Sequence, residues 1–134
     1  MRTRFAVLLA GAGLLYVAVP LAAHHGFDTE YDKNKVIKGT GVVSKVEWTN
    51  PHMHVYIDVT GAGGKVTTYN LELTSPNAIQ RLGWGRNDLL PGEKVTFVGH
   101  AGIVVEERGA LDSLVKVSDP KQEIFKGQRP DELK

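Results

Sequence analysis

The chain has 134 residues, enough for one small domain. Lys plus Arg number 16 against 15 Asp plus Glu, so there is no basic excess to attract the phosphates of a nucleic acid. Cysteine is absent, which excludes disulfide staples and thiolate chemistry and leaves His, carboxylate and amine groups as the available metal donors.

Arg2 and Arg4 precede a mostly apolar run from Phe5 to Val19, followed by Pro20 and the small pair Ala22-Ala23. Basic, apolar and small-residue regions in that order predict a secretory signal over residues 1–23. A retained membrane anchor is the alternative, but Ala10-Gly11-Ala12-Gly13 makes the run weakly apolar for one. No second apolar run follows, so no membrane span is expected after cleavage. Losing Arg2 and Arg4 takes Lys plus Arg from 16 to 14 against 15 acidic residues, a formal charge of −1.

From Val36 onward the chain reads as strands. "VIKGTGVVSKVEW", residues 36–48, is rich in β-branched residues, and Gly39 and Gly41 suggest a bent or bulged strand. "TNP", residues 49–51, is a turn, because Pro51 cannot donate to a ladder and pushes Asn50 out of helical geometry. "HMHVYIDV", residues 52–59, alternates: Met53, Val55, Ile57 and Val59 share one face, His52, His54, Tyr56 and Asp58 the other. "GAGG", residues 61–64, is a hairpin turn, and "KVTTYNLEL", residues 65–73, returns with Tyr69, Leu71 and Leu73 inward.

The pattern then changes. Ser75 is a candidate N-cap, Pro76 the first helical residue, and Ala78, Ile79 and Leu82 an apolar stripe that Gly83 terminates. After a turn at Pro91-Gly92, Val95 and Phe97 share one face of a further strand. A turn near Arg108-Gly109 leads into a strand carrying Leu111, Val115 and Val117, and a short edge strand is expected at Glu123–Phe125. The fold class this predicts is mainly β: a small OB-like five-stranded barrel over residues 24–126, with one short helix between strands 3 and 4 and a frayed tail at 127–134. An open antiparallel sheet with the helix across one face is the alternative.

All five histidines follow the predicted signal. On a strand, His52 and His54 point the same way with Cα atoms about 6.6 Å apart, so both imidazoles can reach one metal ion; a solvated outer face is the plainer reading. Cleavage after Ala23 would make His24 the first residue, whose amine and imidazole could chelate one copper ion, with His25 or a strand histidine completing the set. Cleavage after Ala22 would put His25 third, where it binds Cu(II) or Ni(II) in a square plane with the amine and two backbone amides. Asn50 is expected to orient His52, and Asp58 to bond an imidazole or simply to solubilise the surface. His100 reads as a surface histidine. Trp48 and Trp84 read as plugs at the barrel ends, with Trp48 and Tyr56 as the aromatics a ligand could meet.

In "AHHGFDTEYD", "GTGVVSKVEWTNPHMHVYIDV", "SPNAIQRLGW" and "LLPGEKVTFVGH", the chain resembles a bacterial secreted family, domain of unknown function 6152. The resemblance implies a small periplasmic or exported β-rich domain and supplies no activity, substrate or cofactor. On it, His24, His25, Trp48, Asn50, Pro51, His52, Pro76, Asn77 and Trp84 match the family pattern. His54 stands where the family carries an aromatic or apolar residue, and residues 102–113 differ from its usual polar loop.

The expected function is therefore a non-catalytic exported protein, monomeric, that binds a transition metal, copper, through His24 with His25 or His52. Three rivals stand beside it. The first is an OB-like module that takes an oligosaccharide, peptide or envelope component on the His52, His54 and Tyr56 face. The second is a copper enzyme. The third is a subunit that meets an envelope protein through Ile103-Val104-Val105.

Overall fold

The computed structural model describes Gly26 and residues 28–125. The predicted signal, His24, His25 and the tail at 127–134 lie outside the described residues.

From Tyr31 onward the described residues form six strands and a short α-helix: β1 (Tyr31–Glu47), β2 (His54–Thr60), β3 (Val66–Glu72), α1 (Pro76–Arg81), β4 (Lys94–Gly102), β5 (Arg108–Lys116) and β6 (Asp119–Glu123). They form one mainly antiparallel sheet in the order β3-β2-β1-β4-β5-β6. One parallel pairing joins β3 to β5, with Leu71 opposite Gly109. The pairings thus run from β1 through β2, β3, β5 and β4 back to β1.

β1 starts at Tyr31, five residues before the expected Val36, and its 17 residues serve two neighbours. Val36 to Val42 pair with β4, and Val42 to Glu47 pair with β2, so the strand changes partner at Val42. A register shift between Val43 and Lys45 makes Ser44 the extra residue of a bulge. Gly41 permits the crossing: a Cβ there would lie 2.4 Å from the Asp58 carbonyl oxygen and 2.9 Å from Ile57 Cγ2. The glycine supplies close approach while the bulge, three residues on, supplies the bend.

The alternation read for β2 appears as burial. Met53, Val55 and Ile57 are fully enclosed, while His54, Tyr56 and Asp58 on the other face are half-buried and His52 is exposed. Leu71 and Leu73 complete the inner side of the hairpin. In α1, the Ser75 hydroxyl accepts the Ala78 N–H at 3.3 Å, Pro76 occupies the first turn, and Gly83 leaves the helix at φ 93°. Ile79 is the buried residue of this helix; Leu82, read as its partner in an apolar stripe, is exposed.

Three readings at the carboxyl-terminal side are corrected. The turn falls at Glu106-Glu107, and β5 begins at Arg108 rather than after it. Within β5 the inward residue after Leu111 is Leu114, not Val115, and Val117 is exposed. The reason is a bulge: Val98 pairs with Ser113 but Gly99 with Leu111, so Asp112 is an extra residue that resets the alternation. Finally, β6 ends at Glu123; Ile124 still donates its N–H to the Leu114 carbonyl of β5 at 2.8 Å, and its side chain and that of Phe125 enter the core. The Phe125 ring meets Trp48 edge-on at 5.9 Å and Trp84 at 6.3 Å. The two tryptophans, far apart in sequence, thus close on one residue.

Candidate functional site

β2 and β3 bring a set of polar side chains to one end of the sheet. The hairpin register puts His54 opposite Glu72 and Tyr56 opposite Asn70. Two further backbone bonds, Met53 N–H to Thr74 O at 3.0 Å and Leu73 N–H to Met53 O at 2.9 Å, carry the ladder past the end of β2. The turn holding His52 is thereby seated beside Glu72. Thr49 contributes the turn's side-chain bond, its hydroxyl donating to the His52 carbonyl at 3.1 Å. The Asn50-Pro51 peptide is cis.

Glu72 is the centre of the group. One carboxylate oxygen faces His52 Nδ1 and the other accepts from the Tyr31 hydroxyl. Its side chain is 17% exposed, against 48% for His52. Burial first, and then this bond to Glu72, push the Tyr31 phenol well above its ordinary range. His54 turns Nδ1 to Asn70 Oδ1 at 2.8 Å. Along the same face Tyr56 donates to Glu47 at 2.9 Å, and Lys45 lies over the Tyr56 ring at 5.3 Å while pairing with Glu47. Lys45, and then Tyr56, hold the Glu47 carboxyl below the usual carboxylate range.

Tyr31, His54, Asn70 and Glu72 also line a cleft of about 380 Å³. Thr29 and Glu30, which lead into β1, form part of its wall, and Gly102, Val104, Val105 and Arg108, from the end of β4 to the start of β5, complete the lining. His52 is not in the lining and reaches it through Glu72. Val104, at 93% exposure, and its neighbours Ile103 and Val105 make an aliphatic tip on the rim.

The remaining expected residues are placed as follows. Asp58 accepts from Thr68 at 2.6 Å and from Ser44 at 3.4 Å, so its partners are hydroxyls rather than an imidazole. Trp48 packs on the core with Arg86 over its ring at 5.3 Å. His100, read as a surface residue, is buried at 5% exposure with Nδ1 2.7 Å from Asp112 Oδ2; the β5 bulge, invisible in composition, brings the carboxylate there. Among the described residues no group of three or more His, Asp or Glu is placed to hold a metal ion. Glu72, Tyr31, Asn70 and Arg108 were not singled out from sequence. Glu72 and Asn70 follow from counting back across the Gly61–Gly64 turn, whereas Tyr31 and Arg108 arrive only through the pairings of β1 and β5.

Fold and site together define a small β-sheet protein with a partly enclosed cleft, lined by polar and aliphatic side chains, at one end of a hairpin. The chain belongs to the family of unknown function DUF6152, whose model matches residues 12–110. No curated protein matches it. No helix among the described residues is long and apolar enough to cross a membrane.

Proposed function

We propose that the protein is an exported, non-catalytic OB-like barrel that binds a divalent transition metal, copper, at the rim of its cleft. The pairing circuit β1-β2-β3-β5-β4-β1, with β3 and β5 parallel, supports the barrel reading. The observation that carries the metal reading is that Thr29, Glu30 and Tyr31 wall the same cleft as His54 and Glu72. Three residues lie between His25 and Thr29, and the four steps reach at most about 14 Å. On this reading the freed amine, His24 and His25 join His52 beside Glu72, and together they supply the nitrogen donors that divalent copper prefers. Protons compete for the same imidazoles, so binding weakens as pH falls.

The test uses protein secreted with its own signal and cut in the cell, its first residue fixed by intact mass. Copper is then titrated into it and into a variant extended by one residue. Tight 1:1 binding that the extension weakens is the expected result. Binding that survives the extension removes the amine from the site, and absence of binding overturns the metal reading.

A second reading is favoured by the cleft itself. Asn70, Arg108 and Tyr31 offer donors and acceptors beside the aliphatic Val104 and Val105, in the region between strands 2–3 and the β4–β5 loop where OB barrels take oligosaccharides and other polymers. On this reading an oligosaccharide, a peptide or an envelope partner binds without metal, and Arg108→Ala abolishes that binding in copper-free protein.

A further inference from the structure

Resting on the metal reading, we infer that Glu72 is a positioning residue that holds His52 in the tautomer protonated at Nδ1 and presents its Nε2 lone pair as the donor. An exposed turn histidine ordinarily rotates freely and exchanges tautomers. Here the ring is met by a carboxylate that is itself largely enclosed. An ionised carboxylate only accepts, so the ring nitrogen facing it must carry the proton. Glu72 is in turn held from two directions: the β2–β3 ladder sets its backbone opposite His54, and the Tyr31 hydroxyl occupies its second oxygen. Tyr31, 9% exposed, opens β1 and pairs with Gly102. The phenol, the carboxylate and the imidazole thus form a chain from an enclosed strand start to an exposed ring.

His54 repeats the arrangement with a neutral partner, its Nδ1 facing the Asn70 carbonyl oxygen. No hydrogen bond among the described residues engages Nε2 of either ring. A carboxylate on one ring nitrogen and an outward lone pair on the other is how metal-binding histidines are commonly set, because the partner fixes the ring's direction and raises its basicity.

Long-range proton–nitrogen spectra of histidine-labelled protein at pH 8 decide the tautomer, and copper titration against a competing chelator decides its use. In the wild type, His52 is expected to show the Nδ1–H form. Glu72→Ala is expected to return it to the Nε2–H form that an unconstrained histidine side chain prefers, and to lower Cu(II) affinity by about 10- to 100-fold. Tyr31→Phe, which leaves the carboxylate but frees its second oxygen, is expected to move both readouts the same way by less, and carries the comparison if Glu72→Ala does not fold. An Nε2–H signal at His52 in the wild type overturns the inference, as does unchanged copper affinity in both variants. An Nδ1–H signal in a protein that binds no copper upholds the role of Glu72 and overturns the metal reading alone.

Discussion

His100 Nδ1 lies 2.7 Å from Asp112 Oδ2, the two side chains meeting between β4 and β5 where Asp112 is the extra residue of a bulge. His100 is enclosed and Asp112 partly so. Removing one partner of an enclosed polar pair leaves the other desolvated, at a cost of about 1–3 kcal/mol. Asp112→Ala is therefore expected to lower the unfolding free energy by that amount, and Asp112→Asn, which keeps an acceptor, by less. Denaturant titration of the two variants checks it; equal losses would show that the acceptor atom is not what matters.

Gly41→Ala tests the crossing of β1 over β2. Its Cβ would meet backbone oxygen of Asp58, which cannot swing aside as a side-chain tip can. Overpacking of this kind costs about 1–3 kcal/mol, so the variant is expected to melt several degrees lower. An unchanged melting temperature would mean that the strands separate there without penalty.

Phe125 draws the chain end into the core between Trp48 and Trp84. Phe125→Ala removes a fully buried ring and is expected to cost about 3–5 kcal/mol. Because both tryptophans lose a packing partner, their fluorescence is expected to shift to longer wavelength in the folded variant. Loss of stability without that shift would place the defect elsewhere.

Tyr31 gives the protein an alkaline limit. Its phenol is raised by burial and by the Glu72 bond above the ordinary value of 10.0. In the unfolded chain it ionises near pH 10, and in the folded chain only at higher pH. Its contribution is complete below pH 10 and is lost as pH climbs from there toward the folded value. The melting temperature is expected to fall above pH 10, and Tyr31→Phe to flatten that fall. A variant whose alkaline limb matches the wild type would remove Tyr31 as the cause.

Local chemistry alone determined much of the architecture. The period-two run at 52–59, the glycine-rich turn, the Ser75-Pro76 start and Gly83 stop of the helix, and the enclosed positions of Met53, Val55, Ile57, Val95 and Phe97 are all legible in the chain. Each depends on residues near one another in sequence, where side-chain period and backbone preference act directly. The bulge at Asp112, the burial of His100, the departure of Phe125 from its strand and the Tyr31–Glu72–His52 chain are decided by tertiary structure. They depend on which residue of one strand lies opposite which residue of another, and a single inserted residue reverses every face beyond it. His52 was visible as a chemical group at a turn; what stands at its Nδ1 was set by a residue twenty positions away and by the start of a third strand.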